Sequence, residues 1–163
     1  MGYTDADGGA QEHCCVISGY IFIIDGGAVS CHMKKQELVT LSAMEAEYVA
    51  VMHTAKETIW LQRILGKLFC ISSPLLHSIA TPGCLEVATC DNYHTHTKHI
   101  DQCYHFIQQI IANGTINFLN CPTEDMLADM QTKALPKWMV AVYANTLSAT
   151  IGPPFLLFTY CSL

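Results

Sequence analysis

Residues 41–62 read "LSAMEAEYVAVMHTAKETIWLQ", and the fold turns on what this stretch becomes. Ala, Val and Leu recur at helical spacing and the pattern runs on to Phe69, which predicts one helix of about seven turns beginning near Ser42. Ser42 with Glu45 three residues on has the form of a capping box: the hydroxyl accepts a backbone N–H and the carboxylate reaches back to another. Glu47 has no such duty. Its i+3 and i+4 neighbours are Ala50 and Val51, so its carboxylate stands beside an apolar stripe in the first turns. Two positions apart on a helix, Glu45 and Glu47 lie on different faces and do different jobs.

Upstream, "GYTDAD" (residues 2–7) has strand character, and the chain opens almost directly on it, so a truncated first strand is expected. Residues 14–24, "CCVISGYIFII", are rich in β-branched and aromatic types; "DGG" can turn the chain and "AVSCHM" can run back as the partner strand of a hairpin. Downstream, Ser, Pro and Gly make residues 70–84 read as a loop. A strand "LEVATC" then leads into Asp91 and Asn92, and "HIDQCYHFIQQIIANG" predicts a second helix ended by Gly114. "TINFLNC" reads as a last strand. After Pro122, "TEDMLADMQTKAL" reads as a short helix capped by Thr123. The tail beyond Pro136 has no structural reading.

A chain of 163 residues, 51% apolar and 13% charged, is the size of one domain with a filled core. With a net charge of −6, a general attraction to nucleic acid cannot be assumed, since such binding rests on Lys and Arg neutralising phosphates. Any such role needs a local site or a bound cation. Nine cysteines at irregular spacing, with no C-x-x-C, fit neither a disulfide framework nor a zinc ribbon. The sequence shows no charged n-region followed by an apolar h-region and no apolar run of membrane length, so neither a secretory leader nor a membrane span is expected. The expectation is an intracellular chain, cytoplasmic or nuclear, with no membrane partner.

The element order is that of an α/β mixed sheet. Acids recur at its strand ends and helices: Asp5 at the end of the first strand, Glu47 on the first helix, Asp91 at the end of the fourth strand, Asp129 on the last helix. Strand ends are where the sites of open α/β sheets collect. Carboxylates converging there would repel one another without divalent cations, and hard oxygen donors suit Mg²⁺ or Mn²⁺.

The blocks "GYTDAD", "SGYIFIIDGGAVSCHMKKQELVTLSAMEAEYVAV", "AKETIWLQ", "CDN", "TKHIDQCYHFI" and "CPTEDMLADMQTKALP" resemble, in order, the ribonuclease H domain of copia-type retrotransposon polyproteins. The resemblance implies a ribonuclease H-like fold over residues 1–137, a mixed sheet of about five strands with packed helices, followed by a divergent tail at 138–163. It also implies a two-metal endonuclease, using Mg²⁺ or Mn²⁺, that cuts the RNA strand of an RNA–DNA hybrid. By position its catalytic and metal-binding acids fall on Asp5, Glu47, Asp91 and Asp129, with Asp5 favoured over Asp7 and Glu45 left as the cap. In that chemistry one ion activates a water and the other stabilises the leaving oxygen. The hybrid is read through its backbone and 2′-hydroxyls. Lys34, Lys35 and Lys98 are the candidate phosphate contacts, although each taken singly reads as a solvated surface lysine.

Three departures give a second expectation. Gly8 stands where the family has Trp, the first strand is short, and only "YHTH" separates Asn92 from Thr97, where the family carries a further helix. A catalytically dead remnant with little or no nucleic-acid binding is the alternative. A third reading places zinc on Cys90, His94, His96, His99 and Cys103. Their spacing matches no common zinc module, which favours a metal-free surface.

Overall fold

The computed structural model describes residues 1–7, 16–37, 40, 42–70, 77–80 and 98–148. Strands β2 (Ile17–Ile24) and β3 (Gly27–Lys35) form the expected antiparallel hairpin. Its turn residues Asp25 and Gly26 both have positive φ, 52° and 77°, the conformation a two-residue hairpin needs and the one Asp-Gly supplies. Strand β1 (Gly2–Asp7) pairs antiparallel with β2 along its whole length, Asp5 lying opposite Gly19. Two parallel strands extend the sheet on the other side: β4 (His77–Ala80) beside β1, and β5 (Asn117–Asn120) beside β4. Among the described residues the strand order is β3-β2-β1-β4-β5, with β1 at the centre.

The fold is the expected α/β mixed sheet with packed helices. Strand β4 is a correction, because it lies inside the stretch that reads as a loop. Four residues between Pro- and Ser-containing segments carry too little pattern to read as a strand; parallel partners on both sides make them one. The strand expected at "LEVATC" lies outside the described residues.

Helix α1 (Ala43–Phe69) runs 27 residues, and the Ser42 hydroxyl accepts the Glu45 N–H at 3.2 Å. Its small residues Ala46 and Ala50 pack on Ala6 and Val16, and Leu61 packs on Phe22. Helix α2 (Lys98–Ala112) sets Cys103 and Ile107 against Tyr48, Val51 and Met52 of α1, and the chain leaves it at Gly114 with φ 63°, as expected of a glycine stop.

Along β1, side chains alternate between two layers. Ala6 meets α1, whereas Tyr3 packs with Met126 and Leu127 of the C-terminal segment. That segment departs from the expected single helix capped by Thr123. It forms a 3₁₀ turn at Thr123–Asp125, an extended residue at Met126, and the short helix α3 (Asp129–Thr132). Met126, Leu127 and Ala128 are consecutive and all buried. The extended backbone at Met126 (φ −75°, ψ 93°) interrupts the helix expected there.

Helix α4 (Lys137–Ser148) packs on the same core, Tyr143 lying against Ile21 and Leu127. Among the described residues no helix is long and apolar enough to cross a membrane.

Candidate active site

Asp5 lies on the layer of β1 that faces the C-terminal segment, and what packs over it is α3. The approach depends on Gly19, the residue paired with Asp5 in β2: a Cβ there would sit 2.5 Å from Cβ of Gln131 and 3.0 Å from Cγ2 of Thr132. With no side chain at Gly19, α3 settles directly against the sheet and brings its own carboxylate, Asp129, to Asp5.

Both acids are buried, Asp5 at 5% and Asp129 at 7% exposure. The Thr132 hydroxyl donates to Asp5 Oδ2. The Lys133 ammonium lies 2.7 Å from Asp129 Oδ1 and 3.4 Å from Asp5 Oδ2, so one cation spans two carboxylates and the group keeps a net negative charge.

Asp129 and Lys133 are both shifted upward. Burial pushes the Asp129 carboxyl above its ordinary value and the nearby charge of Asp5 adds to this, while the hydrogen bond from Lys133 pulls the other way. Burial works against the Lys133 ammonium too, yet its hydrogen bond to Asp129 and the charge of Asp5 hold its pKa above the ordinary lysine value. The two directions agree in meaning: the ammonium is well served, and the Asp129 carboxylate is short of positive charge.

The other expected residues are placed as follows. Glu47 is half-buried in the first turns of α1, beside Ala46 and Ala50, which pack toward β1. Among the described residues no three Asp, Glu, His or Cys side chains converge closely enough to hold a metal ion, so Asp5 and Asp129 come together without Glu47 as a third donor. Asp91 lies outside the described residues, as do Cys90, His94 and His96. Cys103 is buried in the α1–α2 core, where burial pushes its thiol up.

Lys34 is ion-paired with Glu37 at 2.6 Å and lines a cavity of about 420 Å³ with Tyr20, His32, His53, Lys56 and Trp60. Lys35 ends β3 and is exposed, and Lys98 opens α2.

Sequence reasoning missed Gly19, Thr132 and Lys133. A signal for the last two was present: they follow Asp129 at i+3 and i+4, the spacing that puts side chains on one helical face. For Gly19 there was none, because only the packing of α3 reveals the need for a missing Cβ.

No protein-family model matches the chain. A retrovirus-related Pol polyprotein from transposon TNT 1-94 of Nicotiana tabacum is 37% identical over 137 residues, covering 83% of this chain and 10% of that protein. One from transposon RE1 of Arabidopsis thaliana is 30% identical over 154 residues, covering 93% of this chain and 10% of that protein. The chain thus spans about a tenth of the length of the curated relatives it matches. Among solved structures, LC11-RNase H1 in complex with an RNA/DNA hybrid superposes with a TM-score of 0.56 at 15% identity, covering 81% of this chain and 94% of that one. At that identity the likeness is one of fold.

Proposed function

Because the chain is a ribonuclease H-like domain of the retrotransposon Pol polyprotein family, we propose that it is a Mg²⁺-dependent endonuclease acting on the RNA strand of an RNA–DNA hybrid. The observation that carries this reading is the buried Asp5–Asp129 pair, two carboxylates from opposite ends of the chain held against each other over the central strand. Such a pair is costly to bury unless cations serve it. Its donors are hard oxygens and its charge is only half offset by Lys133, so the residues present fit a divalent ion.

Asp5 and Asp129 would hold that ion, with Glu47 and Asp91 completing the set for two ions. When bound, Mg²⁺ or Mn²⁺ lowers the pKa of an attacking water and offsets charge building on the phosphate. The chain's own residues prepare the place. Thr132 orients the Asp5 carboxylate, Gly19 admits α3, and burial keeps bulk water from the acids. Residues 1–137 form the catalytic unit, and Lys34, Lys35 and Lys98 contact phosphates of the hybrid. LC11-RNase H1 is in complex with an RNA/DNA hybrid in its solved structure, which supports the choice of substrate.

A second reading, a fold kept without cleavage, is favoured by one observation: the group that closes the acid pair is the Lys133 ammonium and not a further carboxylate. An end-labelled RNA–DNA hybrid, incubated with wild type and with Asp5→Asn in Mn²⁺ and in EDTA, separates the two once circular dichroism shows both proteins folded. The proposal expects metal-dependent cutting that falls at least about a hundredfold in the variant, the scale for losing a group that stabilises transition-state charge. A folded wild type that leaves the hybrid intact at high enzyme concentration with either metal would establish the second reading.

A further inference from the structure

We propose that Lys133 is the resident counter-ion of the Asp5–Asp129 pair, and that a divalent ion loads the site by displacing its ammonium. The lysine then sets the metal concentration at which the site fills. This rests on the reading of the two acids as metal ligands.

The geometry is that of a cation seated between two anions. The ammonium contacts Asp129 Oδ1 at 2.7 Å and Asp5 Oδ2 at 3.4 Å, and carboxylate oxygens are the donors a divalent ion takes. A dication and an ammonium crowded against the same buried carboxylates repel each other strongly, since little water screens them. Occupancy is therefore exclusive.

The lysine is also the member of the group that can leave. Its side chain is 37% exposed, and it follows the last residue of α3, where the backbone has already turned extended (φ −122°, ψ 146°). A four-carbon stem there can carry the charge out to solvent. The acids cannot follow: Asp5 is fixed on the central strand and keeps its bond from Thr132.

Lys133 is thus a positioning residue. It holds the acids together while no metal is present and competes with the metal for them. A purely structural salt bridge would instead be needed equally in both states.

Mn²⁺ affinity, read by electron paramagnetic resonance of the free ion, is compared in wild type, Lys133→Gln and Lys133→Arg. Removing the competitor is expected to tighten Mn²⁺ binding about tenfold in Lys133→Gln, a coupling of the usual size between two ligands of one site. Lys133→Arg, which keeps the charge, should stay within a few-fold of wild type.

A second readout needs only the native chain. Acetylation of Lys133 by an N-hydroxysuccinimide ester, followed by peptide mass spectrometry with Lys56 as internal reference, should rise when Mn²⁺ is added. Binding in Lys133→Gln no tighter than in wild type, or labelling of Lys133 that stays level or falls with Mn²⁺, overturns the proposal. If neither protein binds Mn²⁺, the metal reading fails and takes this inference with it. If Lys133→Gln binds more tightly but neither protein cuts the hybrid, displacement stands and only the cleavage reading falls.

Discussion

Thr132 lends Asp5 a hydroxyl hydrogen bond inside the core, and Thr132→Val removes it with almost no change of shape. A buried acceptor that loses its partner costs about 1–3 kcal/mol, so the urea midpoint of the metal-free protein should fall accordingly, and addition of Mn²⁺ should restore part of the loss by linkage. An unchanged midpoint would mean that water or a neighbour replaces the hydroxyl. Tyr20 follows Gly19 in β2 and so lies on the other face of the sheet from the acids, where it offers an independent check. Burial first, then the nearby charge of Glu57, pushes its phenol up to about 12 from 10. The unfolded chain releases this proton near 10 and the folded chain only near 12, so the stability it contributes is present below pH 10 and is lost as pH rises through that interval. Carbon-13 resonances of the tyrosine rings should include a late-titrating phenol that is absent in Tyr20→Phe and shifted back toward 10 in Glu57→Gln. The acids themselves were legible in the sequence as types at strand ends and on helices. What closes them was not, because a lysine four residues after an aspartate reads equally well as an ordinary surface pair.

At the level of elements, the contact that makes the site is β2 against α3, and Gly19 governs it. A methyl group added there would press within 2.5 Å of Gln131 Cβ, so Gly19→Ala must lift α3 or distort the strand. Overpacking of this kind costs about 1–3 kcal/mol. The diagnostic outcome is selective: amide exchange should speed up in α3 while α1 and α2 keep their protection, and hybrid cleavage should fall with it. Uniform loss of protection would show instead that the whole sheet had yielded. The hairpin was legible because Asp-Gly announces its turn, and α1 because its apolar period is sustained over seven turns. Strand β4 was illegible for a physical reason. Four residues draw their extended state from two parallel partners distant in sequence, and nothing local in "HSIA" encodes those partners. The segment 122–132 misled for the opposite reason: its local composition is helical, yet tertiary packing leaves Met126 extended and divides the segment into a 3₁₀ turn and α3.

For the molecule as a whole, a formal charge of −6 with only eight Lys and Arg constrains how a hybrid can be held. Tight binding to nucleic acid draws on release of counterions from many neutralised phosphates, and this chain has few cations to offer. Lys34 is already engaged by Glu37 and Lys133 by the acid pair. With Lys34, Lys35 and Lys98 as the phosphate contacts, the logarithm of the association constant should fall with the logarithm of salt concentration at a slope of about −3, close to 0.9 for each of three contacts. Fluorescence anisotropy of a labelled hybrid in Ca²⁺, a hard divalent ion like Mg²⁺, would give that slope between low and physiological salt. Replacing Lys35 with Gln should reduce its magnitude by about one. A much steeper slope would mean that cations beyond these three meet the hybrid, whereas a slope near zero would detach the lysines from binding altogether and leave the metal at Asp5 and Asp129 as the chain's main hold on its substrate.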